Sequence, residues 1–380
     1  MKLLEASRRL ALGTLAVLLV AACGASATDV EPPTAAVNLL ALRIQVSPGK
    51  EAHVCQLHRM PDAPYVVGLR HESTRGGHHL VLRRTTLPGI PPSLREAFDC
   101  DSQASLSLPV GGVLYSAQAS TGALMLPPGV GLPITAGEIV LLESHVMNPS
   151  SAPLDVTAKV ELATSAGADV RSHAGVLAFS APFIHVAPRS RAEASLGCPI
   201  GADITLVSAV GAMSRRGAEF RAFQESPDAL ATAPFYTSGA WDHPTTLAKD
   251  TSLPAGSRLR IRCGYDALNE REERFQGPGP EDERCTFSGL YYPASPLVDE
   301  RCTAGPDRFG TGRSTCAAAL ACAEACQPGG AAGSSRVDPC IQRCVASSCP
   351  AAGRALVEAL ACTPDSCPSL RAACVQQGCG

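Results

Sequence analysis

At 380 residues, 45% of them hydrophobic, the chain has enough apolar material to bury two cores and carry an appendage. Its 32 basic and 35 acidic residues leave a formal charge of −3, which excludes the concentrated basic surface of a nucleic-acid binder. Few aromatics (4%) beside 34 glycines and 31 prolines suit a turn-rich β body.

Residues 1–22 read as an export signal: Lys2, Arg8 and Arg9 form the basic region, 10–20 the apolar stretch, and Val20-Ala21-Ala22-Cys23 the cleavage site. A cysteine directly after the cut is the bacterial lipoprotein pattern, in which Cys23 becomes the lipid-bearing N-terminus. The expectation is an exported protein tied through Cys23 to a bacterial membrane (the outer membrane first), on the periplasmic side or the cell surface. An ordinary signal peptide with an incidental Cys23 is the alternative. No other run approaches the ~20 apolar residues that span a bilayer. Residues 23–37 are small, polar and proline-containing, and read as the tether behind the lipid anchor.

Residues 38–170 hold short alternating runs broken by Pro and Gly, with strands expected near 41–46, 65–69, 79–83, 139–146 and 154–162. Residues 171–302 repeat that texture, near 183–186, 204–210, 219–223 and 259–263. Short, evenly spaced strands with turn signals predict a mainly β chain of two tandem antiparallel β-sandwiches.

At 303–380 the texture changes. From Cys302 onward eleven cysteines fall within 79 residues, among alanine-rich segments. Cys322 and Cys326 are four apart, as are Cys340 and Cys344, so each pair lies on one face of a helix. The Gly/Ser-rich stretch between them lets two helices run antiparallel and be stapled together, and 354–362 reads as a further helix. The expectation is a small helical module held by disulfides, either a stability cap or a binding surface for a protein partner. Setting Cys23 aside leaves 16 of the 17 cysteines, an even number that an exported chain pairs as disulfides; a metallothionein-like thiolate cluster is the rival.

Several motifs occur in order between about residues 40 and 302: Cys55-Gln56-Leu57-His58-Arg59-Met60-Pro61, Pro64-Tyr65-Val66-Val67-Gly68, His78-His79-Leu80-Val81-Leu82, Leu126-Pro127-Pro128-Gly129-Val130-Gly131, Leu253-Pro254-Ala255-Gly256 and Asp282-Glu283-Arg284-Cys285. Together they resemble the copper type II, ascorbate-dependent monooxygenases, the family of peptidylglycine α-hydroxylating monooxygenase and dopamine β-monooxygenase. The resemblance implies two jelly-roll sandwiches, each with one copper, facing each other across a solvent-filled cleft. It also implies disulfides Cys55 with Cys100, Cys198 with Cys302, and Cys263 with Cys285.

By that resemblance His78, His79 and His145 correspond to the ligands of the electron-supplying copper, and imidazole suits copper. Adjacent strand residues point to opposite faces, so His78 and His79 share an ion only if the backbone turns or bulges, which Gly76-Gly77 permits. Glu143, on the strand face of His145, is expected to orient an imidazole. His53, His58, His71, His173, His185 and His243 are expected to be solvated or structural, with His58 and His71 the nearest of them to the metal.

The family's second copper uses a His-x-His pair and a methionine. The corresponding positions here are Ala212, Ser214 and Arg284, none of which supplies a copper ligand, and Arg stays cationic. Met213, between the first two, points to the opposite face. The expectation is therefore an envelope lipoprotein with one copper per chain and no catalytic residue of its own. An active monooxygenase on an unknown small substrate, using ascorbate, is one alternative. A metal-free scaffold whose Cys-rich module binds a partner is the other.

Overall fold

A computed structural model describes residues 36–380 apart from 75, 103–104, 106–107, 118, 227–232, 240, 242–243, 248, 278–280, 303–309, 311, 327–337, 361–367 and 380, and apart from the side chains of 36–38, 78 and 354. The export signal, Cys23, His243, Cys362 and Cys367 lie outside the described residues, as does the His78 side chain. No helix among the described residues is long and apolar enough to cross a membrane.

The first body contains β1 (Ala36–Val46), β2 (Glu51–Arg59), β3 (Tyr65–Ser73), β4 (Gly77–Thr85), β5 (Phe98–Asp99), β6 (Val110–Ala117), β7 (Thr121–Met125), β8 (Val130–Pro133), β9 (Ile139–Met147), β10 (Leu154–Ser165) and β11 (Ser172–His173). One sheet runs β1-β10-β3-β8-β11 with β7 beside β3, and the other runs β5-β2-β9-β4-β6. The second body contains β12 (Gly175–Ser180), β13 (His185–Val186), β14 (Arg191–Pro199), β15 (Ile204–Met213), β16 (Gly217–Glu225), β17 (Tyr236–Ser238), β18 (Thr251–Leu253), β19 (Arg258–Asp266), β20 (Arg274–Phe275) and β21 (Cys285–Tyr292). Its sheets run β12-β21-β15-β18 and β14-β19-β16-β17, with β13 and β20 paired at the side.

Among the described residues, leaving out the two-residue strands and β7, each body winds eight strands in the same way. In chain order, strands 1-8-3-6 make one sheet and 2-7-4-5 the other. That is the jelly-roll winding, so the mainly β chain of two tandem antiparallel jelly-roll sandwiches is what the sequence forms. The physical basis is alternation with period two. In β10 the inward set Val156, Ala158, Val160 and Leu162 is essentially fully buried while the residues between them are not. Each body has its own core: Leu42, Leu82, Leu142 and Leu162 belong to the first, Phe179, Phe220, Phe287 and Tyr291 to the second.

Two boundaries differ from the sequence reading. β1 begins at Ala36, inside the expected tether, because all eleven of its residues pair with β10 from Ala36↔Thr164 to Val46↔Leu154. The first body also keeps the chain beyond 170: β11 pairs in parallel with β8, and Ala174 N–H donates to the Gly131 carbonyl at 2.9 Å.

Disulfides join Cys55 to Cys100, Cys198 to Cys302 and Cys263 to Cys285. Among its described residues the C-terminal module has four helices, α1 (Cys316–Ala325), α2 (Pro339–Ser347), α3 (Gly353–Leu360) and α4 (Pro368–Gln376). Thr315 caps α1 by accepting from the Ala318 N–H, and Asp338 caps α2 by accepting from the Cys340 N–H. Cys322–Cys344 and Cys326–Cys340 staple α1 to α2, Cys316–Cys374 ties α1 to α4, and Cys349–Cys379 closes the C-terminal segment. The module rests on the second sandwich: buried Gln342 bonds the backbone of Ile184, just before β13, and of Gln276, just after β20, and Arg343 pairs with Glu273 at 2.6 Å.

Candidate metal centre

The β5-β2-β9-β4-β6 sheet turns one face to the core and the other outward. The outer face is divided. At one end Leu57, Ile139 and Leu141 are covered by the segment bearing Leu87, Leu94, Phe98 and Cys100, which explains why the first half of β9 is buried on both faces. Beyond that cover, the outward residues become Glu143 and His145 on β9.

The pairing register then assembles a row. His145 lies opposite His53 on β2 and opposite His79 on β4, so three imidazoles from three adjacent strands share one face. Ring centres are 5.2 Å apart for His79 and His145, 6.2 Å for His53 and His145, and 5.9 Å for His53 and His79. A β-bulge between Gly77 and His79 lets His79 face outward, with His78 as the extra residue of β4. The turn before it needs Gly76: its φ is +97°, and a Cβ there would lie 2.6 Å from Leu154 Cδ2 and 2.9 Å from the Met147 carbonyl oxygen.

Carboxylates surround the row. His145 Nε2 is 3.2 Å from Glu51 Oε2, and His53 Nδ1 is 3.2 Å from Asp101 Oδ1. Glu143 is shared: Arg83 Nε holds its Oε1 at 2.6 Å, and its Oε2 lies 4.0 Å from His53 Nε2. Among the described residues, His53 Nε2 is buried without a hydrogen-bond partner. A buried polar atom left so costs about 1–3 kcal/mol. Burial, the largest influence on His145, lowers its pKa, with Glu51 acting in the opposite sense. That favours the neutral imidazole, the form that binds metal.

The expectation for the other histidines is corrected here. His53, set aside in the sequence, joins the row; His58 and His71 do not. His58 lies on the core-facing side of β2, opposite Val140. His71 is buried in the other sheet with both nitrogens engaged: Nε2–H donates to the Ala119 carbonyl at 3.0 Å and Nδ1 accepts from the Tyr115 hydroxyl at 2.6 Å. Burial pushes the Tyr115 phenol up to about 12, which keeps it a donor. His173 bonds Tyr65, and His185 stacks on Phe275, both far along the chain from the row. Pairing of β2 with β9 was the missing signal; both His53 and His145 lie two residues from outward-facing partners, Cys55 and Glu143, that also pair.

Ala212, Ser214 and Arg284 gather at one end of the β15/β21 pair, where the last registered partners are Ala212↔Thr286 and Met213↔Cys285. The chemistry there is a methyl, a hydroxyl and a guanidinium. Met213 is buried in the second core, on the other face. Arg284 is half-buried and interacts with Glu143 and Asp101 favourably and with Arg83 unfavourably, so its charge is felt at the histidine face. Arg215 Nη2 lies 3.7 Å from Glu51 Oε1. Two arginines of the second sandwich thus reach the histidine face.

A copper ion, which the resemblance implies, suits these residues by their type and by the spacing of their rings. With metal–nitrogen bonds of about 2.0–2.1 Å, imidazole rings around one ion sit roughly 5–6 Å apart centre to centre, the spacing of the row. Two of the ring nitrogens, His145 Nε2 and His53 Nδ1, are turned toward Glu51 and Asp101. Among the described residues, ligand atoms of three residues approach within 4.8 Å only at Cys326, Cys340 and Cys344. Those sulfurs belong to the Cys326–Cys340 and Cys322–Cys344 disulfides and offer no thiolate.

No family model matches the chain, and no curated protein matches it. Among solved structures it is similar to one from Sulfolobus turreted icosahedral virus (11% identity, TM-score 0.21), to the PBSX exported protein XepA (8%, 0.19) and to PNGF-II (6%, 0.24). Each match covers 67% of this chain; it spans 59% of the length of the first and third and 86% of the second. Likenesses this slight carry nothing about function.

Proposed function

We propose that the protein binds one copper ion on the outer face of the first sandwich, through His79 and His145 with His78 beside them, and is not an enzyme. The observation that carries this reading is the direct register of His79 with His145, ring centres 5.2 Å apart on a face lined by Glu51, Asp101 and Glu143. The paired jelly-roll winding and the three sandwich disulfides support the family resemblance from which copper comes. Copper bound there would supply reversible one-electron chemistry. The chain's own residues hold and orient the imidazoles: Glu51 at His145, and Arg83 keeping Glu143 drawn aside.

Loss of catalysis is read from the second sandwich. Ala212, Ser214 and Arg284 give no ligand for a second copper, so no open metal position exists there for oxygen and substrate to meet. We read the protein as an exported lipoprotein, anchored through Cys23 to a bacterial membrane, that sequesters, delivers or senses copper. The Cys-rich module is available to a protein partner.

Metal analysis of the full chain, folded in an oxidising compartment, tests the reading. One copper per chain is expected, together with its loss in a His78→Ala/His79→Ala variant and a higher melting temperature on copper addition. Full copper retention by that variant would overturn the reading. Two coppers per chain with ascorbate-driven oxygen uptake would establish an active monooxygenase instead.

A further inference from the structure

We propose that His53 is a ligand of this centre, which then spans β2, β9 and β4 and takes its third imidazole from a strand that the His78-His79 motif does not touch. The inference rests on the copper reading above and adds a residue to it. Three observations meet at His53. It lies directly opposite His145 in the β2/β9 register, on the same face as His79. Its ring centre is 5.9 Å from that of His79 and 6.2 Å from that of His145. Its Nε2 is buried and, among the described residues, has no hydrogen-bond partner, the Glu143 Oε2 lying 4.0 Å away.

The other nitrogen explains how the ring is aimed. His53 Nδ1 lies 3.2 Å from Asp101 Oδ1, so the tautomer with its proton on Nδ1 donates to the carboxylate and keeps the Nε2 lone pair for a metal. A metal-bound histidine ordinarily donates its second ring N–H to a carboxylate in this manner, which fixes the tautomer and raises the basicity of the ligating nitrogen. Asp101 is held in place by covalent structure. Cys100 is bonded to Cys55, two residues along β2 from His53, and Cys100 N–H donates to the His53 carbonyl at 2.9 Å. Asp101 N–H donates to Asp99 Oδ1 at 2.9 Å. The Cys55–Cys100 disulfide therefore brings an orienting carboxylate to the imidazole beside it.

This assignment also changes what is asked of His78. A chelate by two adjacent strand residues requires both side chains on one side of the sheet, against the alternation of the strand. With His53 contributing, His79 and His145 complete a three-imidazole set on one face, and the set does not depend on the residue at the bulge.

The test uses the full chain and copper(II) salt, with affinity read by competition against a chromophoric chelator and nitrogen coordination read by electron paramagnetic resonance. His53→Ala is expected to weaken copper at least tenfold and to remove one nitrogen from the spectrum. Asp101→Asn, which keeps the local hydrogen bonding, is expected to weaken it by about 10–100-fold, as for a residue that orients a ligand. His53→Gln stands in if the alanine variant does not fold. Wild-type affinity and an unchanged nitrogen count in the His53 variant, with copper lost in His79→Ala, would overturn the role of His53 and leave the copper reading intact. Absence of copper from the unaltered chain would instead sink the copper reading, and this inference with it.

Discussion

Gln342 on α2 and the backbone of Gln276 bind each other in both directions: Gln342 Oε1 accepts from the Gln276 N–H at 2.9 Å, and Gln342 Nε2 donates to the Gln276 carbonyl at 2.9 Å. The same Oε1 also accepts from the Ile184 N–H at 3.3 Å. One buried amide thus completes backbone groups on both members of the β13/β20 region while joining the module to the second sandwich. Replacing it strands those groups. Gln342→Ala is expected to destabilise the docked module by about 1–3 kcal/mol. Faster amide exchange in α2 and earlier proteolytic release of the module, with the sandwiches unchanged, would be the readout.

The stapled helices give a second expectation. Cys326–Cys340 closes a span with a sequence separation of 14, nested inside the Cys322–Cys344 pair, whose separation is 22. A loop of that size alone is worth about 3 kcal/mol in the chain-entropy account. The outer staple already restricts the ends, so Cys326→Ser/Cys340→Ser is expected to cost clearly less than that figure. Removing both staples should cost more than twice the single removal. Denaturant unfolding of the two variants checks the order; a full loss of about 3 kcal/mol on removing the inner staple, and about twice that on removing both, would show that the staples act independently.

Glu283 supplies a pH dependence. Its carboxyl is fully buried, and burial pushes its pKa up to about 7, against the pull of Arg216 and Arg274. Arg216 is itself shared with Glu270 at 2.9 Å and Glu281 at 2.7 Å, and Tyr265 packs near enough to feel the charge. A carboxyl pKa raised on folding favours the protonated form. Its contribution is complete below the ordinary value of 4.5 and is lost as pH rises through about 7. The loss amounts to at most about 3 kcal/mol. Glu283→Gln is expected to flatten the fall in stability between pH 5 and about 7. Denaturation series at several pH values measure it, and an unchanged slope would refute the assignment.

The second sandwich offers a reconstruction. Ala212 and Ser214 stand two apart at the strand end, and Arg284 immediately precedes Cys285 on the neighbouring strand. Side chains at i and i+2 share a face. The variant Ala212→His/Ser214→His/Arg284→Met is expected to raise the metal content by one ion per chain over the unaltered protein. No gain in a folded variant would show that the position is not a vestigial metal site. Single Arg284→Met should also raise affinity at the first site, because a cation that interacts with Glu143 and Asp101 is removed.

Two β-sandwiches were legible in the chain because alternation of apolar and polar residues is a local property, whereas their jelly-roll winding was implied only by the resemblance. Runs such as 154–162 state which face is inward without reference to any partner. The helical module was legible for a similar reason: cysteines four apart declare a helix face, and two such pairs declare a staple. What the sequence by itself determined, then, was the set of elements, their period and the chemistry available at Ala212, Ser214 and Arg284.

The membership of the histidine row was decided elsewhere. His53 and His79 are separated by 26 positions in the chain, and His145 by a further 66, and nothing local says that β2 and β4 flank β9. Strand order and register are set by burial of whole sheets, and a slip of one residue would have sent His53 inward and His58 outward. The same holds for Arg215 and Arg284, whose approach to the histidine face depends on how the second sandwich is placed. Local pattern fixes which side a residue takes; only the packed sheets decide whom it meets there.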